Sequence, residues 1–130
     1  MIDTHTHIYL DRFKEDIDAI LKRAAAVGVE RFYLPNIDKE SIPDLKALAA
    51  AHDQIYPMMG LHPSHVKEDW EEQLAAVWEE LEGETKYYAV GEIGLDLYWD
   101  KTFIAEQQEA FRRQIRKAKE MHLPIVIHCR

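Results

Sequence analysis

The amino-acid sequence predicts a parallel α/β fold in the order βαβαβαβαβ, about five βα units of the (β/α)8-barrel type. Three observations point there. Short apolar runs alternate with amphipathic helical patterns along all 130 residues, which implies a parallel sheet with crossover helices. Glycine and proline punctuate the ends of both kinds of segment. Histidines and carboxylates recur at the carboxyl ends of the apolar runs, the edge where parallel α/β folds carry their chemistry.

The run IDTHTHI (2–8) reads as the first strand. A helix follows over 12–27, with Phe13, Ile17, Ile20, Leu21 and Ala24 on one stripe and Gly28 after its end. ERFYLPN (30–36) is the second strand. Ser41 is the expected N-cap of the next helix, with Pro43 in its first turn and Ile42, Leu45, Leu48 and Ala49 at helical spacing. QIYPMMGLHP (54–63) holds the third strand, ended by Gly60 and Pro63. Trp70, Leu74, Val77, Trp78 and Leu81 mark a third helix closed by Gly83, a stripe expected in the core. KYYAVGEIGLD (86–96) is the fourth strand with its exit loop. The fourth helix spans 103–122, its stripe running through Ile104, Gln107 or Gln108, Phe111, Ile115 and Ala118. PIVIHCR (124–130) is the fifth strand. No repeat, low-complexity tract or linker divides the chain, so residues 1–130 read as part of a single barrel domain.

The composition narrows the function. With 24 acidic against 16 basic residues the net charge is −8, so nucleic acid cannot be gripped through a general basic surface. Any phosphodiester must be met by local groups or metal ions. No apolar run approaches the ~20 residues of a membrane span. The absence of a basic, apolar leader before the first strand and the lone Cys129 predict a cytoplasmic protein in a reducing compartment.

The candidate site residues are His5, His7, His62, Glu92 with Asp96, and His128. On a strand, His5 and His7 project to one side with α-carbons roughly 6.6 Å apart, close enough to converge on one ion. Glu92 interrupts an apolar strand between Gly91 and Gly94, and a carboxylate in such a place can bridge two hard cations. A buried salt bridge is the plain alternative for it. His128 ends the otherwise apolar PIVIH; alone it would read as a satisfied core histidine. Three strands each delivering metal-type ligands to one edge favour a metal centre. A site shared by the first and fifth strands also selects the barrel over an open sheet, because in a closed eight-stranded barrel those strands face each other across the axis.

The segments DTHTH (3–7), GLHP (60–63), GEIGLD (91–96) and LPIVIHCR (123–130), with QQEAFRRQIRKA before the last, resemble in order and spacing the TatD family of metal-dependent hydrolases among the amidohydrolase-like TIM barrels. The resemblance covers the whole chain. It implies a two-metal phosphodiesterase, a DNase with exonuclease action on DNA. His5 and His7 would bind one divalent metal, Glu92 would bridge both, and His128 would bind the second. His62 would be a catalytic and substrate-side histidine near the scissile phosphate, and Arg130 would meet a phosphate. Asp96 is expected to anchor its loop, and Asp3 to orient a neighbour. Such mixed ligands suit Zn2+ or Mn2+ and, less well, Mg2+. The family continues for about three more βα units, which carry a further histidine and an aspartate of the metal site. Without them the 130-residue chain is expected to hydrolyse little by itself.

Two other readings remain open: a non-nuclease amide or ester hydrolase of the same superfamily, and a non-catalytic half-barrel whose open sheet edges pair with another chain. Several residues have ordinary explanations. His52 and His122 sit near helix ends, and His65 is a loop residue that could line the site. Cys129 should alternate away from His128 and lie buried under the helix layer.

Overall fold

Each apolar run of the sequence pairs with the next one along the chain. The computed structural model, which describes residues 1–130, contains parallel strands β1 (Ile2–Asp3), β2 (Arg31–Pro35), β3 (Ile55–Met58), β4 (Val90–Leu95) and β5 (Ile125–Cys129). β1, β2 and β3 form one ladder and β4 and β5 another. The Met59–Val90 bridge joins them, with Met59 N–H donating to Ala89 O at 3.1 Å and Gly91 N–H to Met59 O at 3.0 Å. The strand order is therefore the chain order. Consecutive right-handed crossovers put every connecting helix on the same side, so the sheet curls and presents its other face inward, as a (β/α)8 barrel does.

The helices are α1 (Ile17–Ala26), α2 (Ile42–Ala51), α3 (Trp70–Glu82) and α4 (Ile104–Glu120). Their apolar stripes meet the outward face of the sheet in one core that includes Leu34, Leu45, Leu61, Val77, Val90 and Ile93. On the opposite face Tyr33 stacks on Tyr56 with ring centroids 5.0 Å apart, and Tyr88 meets Tyr56 edge-on at 4.9 Å. No helix is long and apolar enough to cross a membrane.

β4 and β5 approach closely because glycine lines the contact. A Cβ on Gly91 would lie 2.6 Å from Val126 Cβ, and Gly94 has a φ of +148° with the His128 carbonyl oxygen where a side chain would stand. Two buried glutamines of α4 fasten the strand exits. Gln114 accepts from Leu61 N–H at 2.7 Å and donates to Leu61 O at 3.2 Å. Gln107 does the same to Asp96, at 2.9 and 3.1 Å. The helical stripe anticipated Gln107 but not Gln114.

The structure corrects several boundaries. The first strand ends at Asp3 and not at residue 8, because the Asp3 carboxylate accepts from the His5 backbone N–H at 3.1 Å and takes that donor out of the ladder. The expected helix over 12–27 begins as a 3-10 segment, Asp11–Asp16, and becomes α-helical only at Ile17. The third strand stops at Met58, and Pro63–His65 form a separate 3-10 turn. Ser41 stands at the cap position of α2, but its hydroxyl donates to Asn36 Oδ1 at 3.0 Å and does not cap the helix. His122 adopts a φ of +54° just past α4, where its N–H reaches Lys119 O, so helix termination explains it. Cys129 is exposed, not buried. Within residues 1–130 β5 pairs with β4, and Ile127 of the same strand is 54% exposed.

Replacing Gln114 by methionine keeps its volume but strands the Leu61 N–H and C=O in a dry interior. Each unsatisfied group costs about 1–3 kcal/mol, so a stability loss of that order or more is expected in urea denaturation.

Candidate metal centre

Four histidines from three separate strand exits converge on one buried carboxylate. Glu92 is 6% exposed, and its two oxygens face different partners. Oε2 lies 3.0 Å from His5 Nε2 and 3.3 Å from His7 Nε2. Oε1 lies 3.2 Å from His128 Nδ1 and 3.6 Å from His62 Nε2. Two donor groups of metal-binding spacing result, His5–His7–Glu92 and His62–Glu92–His128. Burial opposes ionisation of Glu92, yet hydrogen bonds from His62 and His7 and the charge of His62 and His5 outweigh it, and the carboxyl is held well below the usual carboxylate range. An ionised, two-faced carboxylate is what bridging of two cations requires.

Backbone geometry aims these groups. The Asp3–His5 turn carries His5 and His7 off the ladder, and their Nε2 atoms end 3.3 Å apart. Glu92 N–H donates to the Asn36 carbonyl at 3.2 Å, while the Asn36 side chain, fully buried, donates to Asp38 O and Gly60 O. The exits of β2, β3 and β4 are thus tied together around Asn36.

Neighbouring hydrogen bonds set which ring nitrogen is free. His7 Nδ1 lies 3.1 Å from Pro35 O, an acceptor only, so Nδ1 carries a proton and Nε2 is the nitrogen turned toward Glu92 and toward any ion placed there. Buried Tyr9 donates to the same carbonyl at 2.7 Å and contacts His7 Nδ1 at 3.2 Å. His128 Nε2 donates to Asp96 Oδ2 at 2.9 Å, leaving Nδ1 as the nitrogen that faces Glu92 Oε1. Burial pushes the Asp96 carboxyl up, but donation from Tyr98 N–H, His128 and Trp99 N–H brings it below its ordinary value, so it remains an acceptor.

His62 is oriented the opposite way. Ser64 N–H donates to its Nδ1 at 3.1 Å, so in the neutral ring Nε2 carries the proton. That N–H points at His128 Nδ1, 3.2 Å away. His62 is therefore built to donate, to a lone pair or to an oxyanion, although its distances alone would admit it as a ligand. His5, His7 and Glu92 Oε2 form a full three-donor set suited to a divalent cation. Glu92 Oε1 and His128 Nδ1 begin a second.

The remaining sequence candidates fall outside this cluster. His65 faces Asp38 at 3.3 Å, and burial lowers its pKa. Arg130 lies over the Tyr98 and Trp99 rings at 4.5 and 5.3 Å. Asp96 anchors its loop as expected, through Tyr98 N–H at 3.1 Å, but its bond to His128 was not foreseen. Tyr9 and Ser64 were also missed. Each lies two residues beyond a site histidine, a spacing that could have flagged them.

Known proteins resemble this chain over its whole length. The family model described as TatD related DNase matches residues 2–130. The uncharacterized metal-dependent hydrolase YabD of Bacillus subtilis is 38% identical over all of this chain and 51% of its own length. The 3'-5' ssDNA/RNA exonuclease TatD of Cronobacter sakazakii is 34% identical, again over all of this chain and 49% of its own. The crystal structure of YjjV, a TatD homolog from Escherichia coli, superposes with a TM-score of 0.92 at 36% identity, covering 100% of this chain and 51% of that one. The chain thus spans about half the length of the curated relatives it matches.

Zn2+ titrated into the chain should raise its thermal midpoint, by the equivalent of about 2.7 kcal/mol at a hundredfold excess over Kd, and His7→Ala should remove most of that shift. Asp96→Asn should weaken metal affinity about tenfold to a hundredfold in calorimetry by releasing the His128 ring.

Proposed function

The chain belongs to the TatD-related DNase family, and on that premise we propose that it forms the first half of a two-metal phosphodiesterase acting on nucleic acid, with exonuclease action on DNA. The observation that carries this reading is Glu92, with one oxygen toward His5 and His7 and the other toward His128. His5, His7 and Glu92 would hold one divalent cation, and Glu92 and His128 would contribute to a second. Bound there, Zn2+, Mn2+ or Mg2+ would supply Lewis-acid stabilisation of the phosphoryl oxygens and lower the pKa of water at neutral pH.

The protein's own groups have separate tasks. Glu92, kept ionised, holds the two positions in fixed relation. Asp96 accepts from His128 Nε2–H and so turns Nδ1 toward the site. His62, whose Nε2–H is fixed by the Ser64 contact, would donate to a non-bridging phosphate oxygen and so orient the scissile diester. Arg130, at the exit of β5, would meet a phosphate of the same strand. Charge gathered at the site explains how a chain of net charge −8 can attract a polyanion.

Because the chain corresponds to half of its relatives, the decisive assay joins residues 1–130 to the second half of the Cronobacter sakazakii exonuclease. This chimera should hydrolyse single-stranded DNA in the presence of divalent metal, and Glu92→Gln should abolish the reaction. A folded, metal-binding chimera that cleaves no phosphodiester, or that prefers ester or amide substrates, overturns the reading.

A further inference from the structure

Beside the histidine cluster, two large aromatic side chains stand exposed within residues 1–130. Trp99 is 70% and Tyr98 61% exposed, on the loop that leaves β4. Their rings meet at a right angle with centroids 4.7 Å apart. The Arg130 guanidinium covers them at 4.5 and 5.3 Å. Exposed aromatic surface of this size is costly in water and marks a contact site more often than chance.

The loop that carries the pair is held from both sides. Asp96 Oδ1 accepts from Tyr98 N–H at 3.1 Å and from Trp99 N–H at 3.4 Å. Arg130 N–H donates to Leu95 O at 3.1 Å, and Leu97 N–H to Arg130 O at 2.7 Å. On the far side Lys67 bonds Asp100 at 2.7 Å, and Asp100 accepts from Thr102 N–H at 2.9 Å. The aromatic faces are therefore presented on ordered backbone, which lowers the entropic cost of binding. Asp96 also links this loop to the centre, since its other oxygen holds His128 at 2.9 Å. The aromatic pair and the metal-side histidine are thus positioned by a single carboxylate.

We infer that Trp99 and Tyr98, edged by Arg130, form a stacking subsite for a nucleobase of a single-stranded nucleic acid whose backbone enters the histidine cluster. The inference rests on the phosphodiesterase reading for the identity of the ligand. Three features select a nucleobase over a protein side chain. The aromatic loop is tied to the cluster, because buried Asp96 bonds both Tyr98 N–H and His128. The guanidinium beside it lies against aromatic faces, available to a phosphate. Base–aromatic stacking needs only one free ring face and tolerates every base. In an acidic chain, such a platform would supply affinity that the overall charge cannot.

The test is fluorescence anisotropy on the 130-residue chain in chelator, comparing a labelled single-stranded oligodeoxynucleotide with an abasic strand of equal length. The base-bearing strand should bind about tenfold tighter and quench tryptophan fluorescence. Trp99→Ala should reduce its affinity to that of the abasic strand and remove the quench, while Trp99→Phe should keep most of the preference. Trp99 is so exposed that neither change should disturb folding, and an unchanged Zn2+ titration would check this. Equal binding of both strands by the unmodified chain, or failure to bind either, overturns the subsite. So does a preference that survives Trp99→Ala. Loss of self-association in Trp99→Ala with strand binding intact assigns the patch to protein docking and also overturns it. Cleavage of the abasic strand by the chimera judges the phosphodiesterase reading separately, because that strand carries no base to stack.

Discussion

Everything at the carboxyl edge of this sheet depends on one ionised carboxylate held in an almost dry place. Glu92 has lost most of its water, and a lone carboxylate there would be neutral. The surrounding imidazoles reverse that outcome, holding it as an anion. Because His5 and His7 come from the first strand's exit and His128 from the fifth, the carboxylate can be satisfied only if the sheet curls enough to bring those exits together. The electrostatic requirement of one side chain and the curvature of the sheet are thus the same constraint. A flatter sheet would leave the charge unpaired at a cost of several kcal/mol.

Fixed hydrogen bonds give this arrangement its chemical direction. Pro35 O assigns the proton of His7, Asp96 that of His128, and Ser64 N–H that of His62. The three rings look alike in a sequence and differ in what they can do. In two, the fixed proton lies on the side away from Glu92, and in the third the outer nitrogen is the acceptor. Behind them Gln107 and Gln114 anchor the exit loops of β4 and β3 to a single helix, so the loops cannot drift independently. The result is a site whose groups are oriented before any ligand arrives, which is where much of the catalytic advantage of such centres originates.

Parts of this were legible in the chain, and the reasons are local. The alternation of elements, four helices and the apolar stripes that face the sheet follow from side-chain periodicity, which neighbours along the chain set. The gathering of His5, His7, Glu92 and His128 could be read because an imidazole or carboxylate ending an apolar strand has few other uses. The short β1 was harder, since the Asp3 side chain competes with the ladder for the His5 N–H. Burial of Cys129 is not legible from alternation, which says which way a side chain points and not what covers it; within residues 1–130 it is exposed.

By itself, then, the sequence determined the order and kind of the elements, the family, and the residue types that converge at the strand ends, because each of these is written in short-range patterns. The tertiary structure decided which oxygen of Glu92 serves which histidine, which ring nitrogen is free, and that Asp96 holds both His128 and the aromatic loop. The pairings of Glu92 and the Asp96–His128 bond join residues 32 to 87 positions apart, where register, ring rotation and sheet curvature are settled together and no local pattern records the outcome.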